Sequence, residues 1–498
     1  MQPLPPAGFP LESYPLGPTD RVSKPAAGKP AGSADRVEFG SVKEPGQQMP
    51  QRGLARLAIE SPRPWPPTLE GNLTAWGELS RRVGRQAAGQ MAFGLLPQEE
   101  QSEWDARPTT KGWQVPKNPN RTPVRPRPAY EVSEKVEELG PLEVVASNQG
   151  RIRALRLQWP ETFVEPALSA QRQLFHDLLT RLSAEVVVHV VAEGQSGDEL
   201  RRLLAKWSVP RPERVHIHPM VLFSTAERLY SPLTMWARDG ALLTRTADGR
   251  AVLLLPRTFR GDGQVDPALN RVVVQGSGAA PARLQEVLPD LLVRRSCLSF
   301  EGGDVVASGR QVLVGGHSVA RTMTNLGLSK AEVVDRFGKI LGREAIVIEP
   351  QPDFHLDLGF TFLDDDTVAV ADPKSSMAMV GPEFKPLVEA TKSAGLAESY
   401  ERAAEKLRGL GLRVVRLPNL AGVGLLTPYL TYNNVLMECY DGVRRVYMPV
   451  YGVSLDEVAR AVYREYGFEV VDMPSAQATT RLWGAVRCAT GELEVSHV

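Results

Sequence analysis

The chain has 498 residues, and its 58 Lys and Arg are balanced by 58 Asp and Glu, so the formal net charge is +0. This balance excludes the global basic field typical of nucleic-acid binding, and also an acidic field that would attract basic partners. Hydrophobic residues make up 42% of the sequence, an ordinary share for a globular protein. No apolar run approaches the ~18–20 residues that cross a membrane. We therefore expect neither nucleic acid nor membrane as a partner.

Residues 1–140 differ in composition from the rest. Roughly half of the 41 prolines fall there, mixed with Gly, Ser, Gln and Arg, and such a segment buries too little apolar surface to offset chain entropy. We predict a mostly disordered N-terminal region, with a short helix at 72–94 as its one ordered element. A flexible leader is the favoured interpretation, and a segment that docks on a protein partner or on the catalytic domain is the alternative.

Residues 141–498 show a regular rhythm that predicts one folded domain. Apolar pairs separated by Asp-Gly or Ser-Gly turns indicate β-hairpins, and amphipathic helices followed by single apolar strands lie between the hairpins. Repeated hairpin–helix–strand units that cannot bury a core alone tend to stack or close into a ring. The predicted hairpins are 241–255, 305–314, 359–370 and 434–448. The predicted helices are 171–182, 198–207, 282–291, 330–341, 397–407 and 454–466, and the predicted single strands are 186–191, 345–348, 412–416 and 469–472.

The three cysteines are Cys297, Cys439 and Cys488. A small, odd number is not a disulfide framework and fits a reducing compartment with room for one functional thiol. The N-terminus lacks the basic and then apolar pattern of a secretory signal. We expect a cytoplasmic protein, although export by a route without a cleaved signal stays open.

Four short motifs follow one another in the second half of the chain. They supply carboxylates, one histidine and one late cysteine, which together suit attack by a thiolate on the carbon of a guanidinium cation. Each motif alone has a structural explanation that is at least as good: a buried cysteine, an edge histidine, a tight turn or a local ion pair. The remaining histidines share no ligand spacing, so we expect no metal and no cofactor. The motifs are Trp236-Ala237-Arg238-Asp239, Phe300-Glu301-Gly302-Gly303-Asp304, His355-Leu356-Asp357 and Gly484-Ala485-Val486-Arg487-Cys488. His355 and Asp357 alternate, so we predict that they share one face of a strand that runs on into the hairpin at 359–370.

Taken together and in this order, the motifs resemble those of the guanidine-modifying enzymes of the pentein superfamily, which include arginine and agmatine deiminases, dimethylargininases, peptidylarginine deiminases and amidinotransferases. Tyr432-Asn433-Asn434, predicted as a strand, is also similar to these families. The resemblance covers about 142–498 and implies a five-bladed α/β propeller.

By motif, the resemblance implies that Asp239 and Asp357 bind the guanidinium nitrogens, and that Glu301 holds the imidazole of His355. It also implies that Cys488 attacks the guanidinium carbon. His355 would protonate the leaving amine and then take a proton from the hydrolytic water. Asp304 is expected to contribute to substrate binding.

Two arginines are further candidates for substrate binding. Arg321 follows the second motif one residue later than the arginine that holds the substrate carboxylate in related deiminases, and Arg487 precedes the cysteine. A contact from Arg321 would favour a free amino acid over agmatine as substrate.

We therefore expect a cysteine-dependent deiminase that acts on a small arginine-like guanidino compound. An amidinotransferase and a peptidyl-arginine deiminase are the alternatives among enzymes, and a catalytically inactive pentein binding protein is the alternative outside them. A protein partner of the N-terminal region and a homo-oligomer stay open.

Overall fold

The computed structural model describes residues 141–160, 167–193, 196–220, 233–257, 278–421, 429–482 and 484–496. The predicted N-terminal region and its helix at 72–94 lie outside these residues. None of the helices in the described ranges is long and apolar enough to span a bilayer.

Strands and helices alternate through the described residues. In chain order the strands are β1 (Glu143–Val144), β2 (Arg151–Trp159), β3 (Val187–Glu193), β4 (Val215–Met220), β5 (Leu242–Arg245), β6 (Ala251–Leu255), β7 (Leu292–Arg295), β8 (Val305–Ala307), β9 (Gln311–Gly315), β10 (Glu344–Ile348), β11 (Phe360–Phe362), β12 (Thr367–Asp372), β13 (Arg413–Leu420), β14 (Leu430–Thr431), β15 (Leu436–Tyr440), β16 (Val443–Pro449), β17 (Glu469–Met473) and β18 (Gly491–Ser496). The α-helices are Ala167–Arg181, Ser196–Lys206, Gly316–Leu326, Lys330–Leu341, Pro373–Met379, Lys385–Ser393, Leu396–Gly409, Ser454–Glu465, Ala476–Thr479 and Val486–Ala489, and residues 278–287 are also helical.

These strands form five small sheets with one shared plan. Each contains an antiparallel pair followed, after at least one helix, by a parallel strand: β5-β6-β7, β8-β9-β10, β11-β12-β13, β15-β16-β17 and β18-β2-β3. The last of these sheets joins both ends of the described chain, because β18 pairs with β2. Five units with this plan, closed by the pairing of β18 with β2, are compatible with the predicted five-bladed propeller, and the predicted α/β class is confirmed.

The segment 143–150 ties the five sheets together. It runs from β1 in the first sheet to the start of β2 in the last sheet. Between these two strands it forms hydrogen bonds with each of the other three sheets. Its bonds run from Val145 N to Leu243 O, Ser147 N to Ala307 O, Gln149 Nε2 to Asp365 Oδ1 and Gly150 N to Cys439 O, at 3.0, 3.1, 2.7 and 2.8 Å.

Helices cover the sheets with one apolar face each. The predicted helix at 330–341 has these bounds in the structure, because Ser329 and Glu332 form a capping box at its start and Gly342 ends it with φ 66°. It buries Val333 and Phe337 against the second sheet. Most other predicted elements are confirmed with shifts of one to four residues at their ends.

Two predictions near the motifs are wrong. His355 and Asp357 do not alternate on a strand, because Leu356–Leu358 form a 3-10 turn and β11 begins only at Phe360. Every residue from 355 to 358 is buried, so the spacing of the two polar residues does not mark one face of a strand. Tyr432-Asn433-Asn434 is likewise not a strand, since β14 ends at Thr431.

Candidate active site

The site residues occupy equivalent places in the five sheets. In each sheet they lie in the loop just before the first strand of the antiparallel pair, which is β5, β8, β11, β15 or β18. Repetition of one unit around a ring therefore brings together loops that are up to about 250 residues apart in sequence. The residues at these places are Asp239, Glu301, His355 with Asp357, Asn434 and Cys488.

Cys488 lies on a buried turn of helix, Val486–Ala489, that leads into β18. The side chain of Asn434 fixes this turn, because its Oδ1 accepts hydrogen bonds from the backbone N–H groups of Arg487 and Cys488 at 3.0 and 3.2 Å. The Nδ2 of the same amide donates to Cys488 Sγ at 3.1 Å. One buried side chain thus sets both the position of the thiol and its nearest hydrogen-bond donor.

His355 is held between two acidic residues. Its Nε2 lies 2.7 Å from Glu301 Oε2, and its Nδ1 lies 4.0 Å from Asp239 Oδ1. All three side chains are buried. The short Glu301 contact fixes the plane of the imidazole, as an orienting carboxylate does for a histidine that transfers protons.

Asp357 lies next to the thiol. Both of its carboxylate oxygens are 4.0 Å from Cys488 Sγ. One side-chain N, O or S atom from each of His355, Asp357 and Cys488 lies within 4.8 Å of the other two. The same holds for Asp239, Glu301 and His355. These distances would also permit a metal ion, so the metal-free site expected from the sequence stays a prediction.

The two glycines of the second motif allow the loops to approach. A Cβ on Gly302 would lie 1.9 Å from the carbonyl oxygen of Arg238, and one on Gly303 would lie 2.6 Å from His355 Nδ1. Gly302 N also donates to Asp239 O at 3.0 Å. Glycine is therefore required here for close packing against the other site loops.

Burial and neighbouring charges shift the pKa values in the site. Burial and the Asp357 carboxylate raise the pKa of the Cys488 thiol to about 11. Burial by itself would lower the pKa of His355, but Glu301 and Asp239 raise it well above its ordinary value. Burial raises the pKa of Asp357, against the charges of His355, Arg238 and Arg487. These shifts favour a protonated thiol beside an imidazolium in the free site.

Asp304 and Arg321 lie at the edge of this arrangement and contact protein groups. Asp304 accepts hydrogen bonds from Ser318 Oγ at 2.6 Å and Gln351 Nε2 at 2.8 Å. The guanidinium of Arg321 contacts Glu301 Oε1 at 3.2 Å and Asp304 Oδ2 at 3.4 Å. Both residues thus support the loop 300–304 that carries Glu301 and Asp304, called the acidic loop below. Their expected contacts with substrate stay predictions.

Arg487 is buried, and its Nη1 donates to Glu492 Oε1 at 2.9 Å. Arg238 reaches the other oxygen of Glu492 at 3.2 Å. No sequence pattern predicted a role for Glu492, and Asn434 was marked only by the similarity of its segment to known families. Asn434 could have been found by noticing that it precedes its hairpin at the same place as the other motifs. No local pattern marks Glu492.

A further acidic residue, Asp353, lies two residues before His355. Burial raises the pKa of Asp353 to about 6, although Tyr429 and the backbone N–H of Phe354 donate hydrogen bonds to it. The two tyrosines beside it, Tyr429 and Tyr400, have pKa values raised well above the ordinary range, first by burial and then by this carboxylate. The sequence did not single out this group.

The site brings a thiol, a histidine and carboxylates together. A model of the Porphyromonas-type peptidyl-arginine deiminase family matches residues 147–493. The chain belongs to this family. The predicted resemblance and the predicted enzyme class, a hydrolase acting on a guanidino group, are confirmed by this membership.

Solved agmatine deiminases share the fold of this family member. The C. jejuni enzyme is 17% identical with a TM-score of 0.50, and the alignment covers 72% of this chain and 97% of that one. The Enterococcus faecalis enzyme is 16% identical with a TM-score of 0.53, over 73% of this chain and 100% of that one. No curated protein matches the sequence significantly.

Proposed function

We propose that this member of the family deiminates a guanidino substrate through a covalent thiouronium intermediate on Cys488. The observation that carries the proposal is the convergence of the Cys488 thiol, the His355 ring and the Asp357 carboxylate within 4.8 Å. The carboxylates of Asp239 and Glu301 flank the same histidine.

Substrate binding would place a guanidinium between Asp239 and Asp357, where two buried carboxylates can each accept hydrogen bonds from its nitrogens. The bound cation lies beside the thiol and counters the burial that raises the pKa of Cys488. The thiol therefore loses its proton to solvent most easily when substrate is present, which confines the reactive thiolate to the complex.

In the first half-reaction the thiolate attacks the guanidinium carbon and forms a C–S bond. The C–N bond to one terminal nitrogen breaks, and that nitrogen leaves as ammonia after receiving a proton from His355. The raised pKa of His355 supports this step, because the ring carries a proton before the attack. The product of this half-reaction is an S-alkylthiouronium.

In the second half-reaction the neutral His355 takes a proton from water, which adds to the same carbon. The C–S bond breaks, the sulfur leaves as a thiolate that regains a proton as the new hydroxyl group loses its own, and a ureido product is released. The Nδ2 donor of Asn434, 3.1 Å from the sulfur, stabilises the charge that the sulfur carries in both half-reactions.

The substrate panel that tests this proposal contains arginine, agmatine, a methylated arginine and an arginine-containing peptide. Ammonia and ureido product are measured together, with Cys488→Ala as the blank. Equal amounts of both products from at least one compound support the proposal. Turnover only in the presence of an amine acceptor, with no ammonia-matched ureido product, would instead identify an amidinotransferase.

The panel also separates the substrate classes. The family model is named for peptidyl-arginine deiminases and the solved relatives for agmatine deiminases, whereas a contact from Arg321 would favour free arginine. A complete thiol, histidine and carboxylate set argues against an inactive binding protein. The cytoplasmic location, a homo-oligomer and a protein partner of the N-terminal region stay predictions.

A further inference from the structure

The loops of the site rest on a buried cluster of charges behind the thiol. Arg238 Nη1 donates to Glu492 Oε2 at 3.2 Å, and Arg487 Nη1 donates to Glu492 Oε1 at 2.9 Å. The side chains of all three residues are buried. The two arginines lower the pKa of Glu492 to about 2, against the effect of burial, so this carboxylate is ionised throughout the working range.

Arg238 connects this cluster to two catalytic loops. Its Nε donates to Gly302 O at 3.2 Å and its Nη2 to Val305 O at 3.1 Å, so the side chain holds the loop that carries Glu301. Its backbone N–H donates to Cys488 O at 3.0 Å. Moving Arg238 would therefore move both the acidic loop and the thiol.

Further charges act on this cluster, because the site carboxylates Asp239 and Asp357 interact with Arg156 and Arg238, respectively. Arg156 is a third buried arginine, and its pKa is lowered to about 10 by burial and by Arg238. It donates to Ala241 O at 2.8 Å, but its Nε and Nη1 form no hydrogen bond within the described part of the chain. Glu492 thus contacts two guanidinium groups and interacts electrostatically with a third, beside a site proposed to accept another cation.

We propose that Glu492 is a positioning residue for the reaction: it locks Arg238 and Arg487 behind Cys488 and cancels positive charge that would otherwise repel a guanidinium substrate. The inference rests on the proposed function for the identity of that substrate. Its effect on the thiol can be measured without turnover, because unneutralised arginines would stabilise the thiolate in the free enzyme.

The test compares three variants of the full chain. Glu492→Gln keeps the shape and removes the charge, Glu492→Asp keeps the charge and withdraws the carboxylate, and Glu494→Gln removes an exposed charge from the same strand as a matched control. The rate of Cys488 alkylation by iodoacetamide is followed against pH without substrate. Mass spectrometry of the Cys488 peptide separates this thiol from Cys297 and Cys439.

Glu492→Gln should move the midpoint of the alkylation profile to lower pH by roughly 0.5–1 unit, so alkylation at pH 8 becomes about 3–10 times faster. It should also raise KM about tenfold while kcat falls less. Glu492→Asp should keep the midpoint and lower kcat, since Arg238 is displaced. Glu494→Gln should match the unchanged enzyme.

A purely structural role gives a different result. A loosened site would alkylate faster at every pH with the midpoint unchanged, and this outcome for Glu492→Gln overturns the proposal. If Glu492→Gln does not fold, Arg487→Gln tests the same idea with the opposite sign, because removing a cation should move the midpoint upward. An unmoved midpoint in Arg487→Gln then overturns it. Failure of all substrates in the panel would count against the proposed function and leave the alkylation result standing.

Discussion

Gly303→Ala should displace the histidine of the site without disturbing the fold. A Cβ at this position would lie 2.6 Å from His355 Nδ1 and 3.1 Å from Asp357 Oδ1. Ordinary contacts begin at about 3.5 Å, so the imidazole or the loop must move by close to 1 Å. Misplacing a catalytic group by about 1 Å can lower the rate on the order of 100-fold. We expect kcat to fall by about this factor.

The matched control is Gly409→Ala. Gly409 ends the helix Leu396–Gly409, and a Cβ there meets no atom within 4 Å. Neither glycine has a positive φ, so the two substitutions differ in steric contact and not in backbone strain. Steady-state kinetics on the best substrate of the panel and thermal unfolding are measured for both variants. Full activity in Gly303→Ala would refute the packing of this loop against His355.

Three further predictions address other groups. Asn434→Asp should raise the midpoint of Cys488 alkylation and lower kcat about 100-fold or more, because it replaces the N–H donor to Sγ with a negative charge. The control is Asn433→Asp, because the amide of Asn433 donates to Ala369 O; this variant should lower stability without moving the midpoint. The same alkylation profile in both variants would contradict the role of Asn434. Asp353 has a raised pKa of about 6, so its stabilising contribution is complete below its ordinary pKa of about 4 and is lost as the pH rises through 6. Urea unfolding between pH 4 and 7 should therefore show a smaller loss of stability for Asp353→Asn than for the unchanged protein. The same pH dependence in both proteins would exclude this carboxyl group as the cause. Deleting residues 1–127 should leave kcat/KM on a small substrate unchanged, whereas insoluble or unfolded protein would show that this region is structural.

The fold was largely predictable because its unit is local. Asp248-Gly249 and Asp441-Gly442 specify hairpin turns whatever lies around them, and Gly249 and Gly442 take the positive φ that such turns require. The capped helix at 330–341 carries both its start and its stop in the sequence. The pairing of β18 with β2 has no local signal, because it joins residues more than 300 positions apart. Only the idea of a closed ring of repeats indicated it.

The site was predictable only in part, because many of its contacts join residues that are far apart in sequence. Motif order brought together the thiol, the histidine and its carboxylates, but the 3-10 turn at Leu356–Leu358 was mistaken for a strand because two polar residues fit both conformations. Arg321 was proposed from spacing as a substrate anchor, whereas the structure directs its guanidinium to Glu301 and Asp304. Contacts such as Arg238 with Glu492 depend on packing between separate sheets, and composition does not encode them.

The most direct test of the central claim is the mass of the Cys488 peptide after rapid acid quenching during turnover of the best substrate. The account predicts a covalent adduct on Cys488 that carries the substrate minus ammonia, that appears before the ureido product and that is absent from Cys297 and Cys439. Ureido product and ammonia formed at the normal rate by Cys488→Ala, with no adduct on any cysteine, would contradict it.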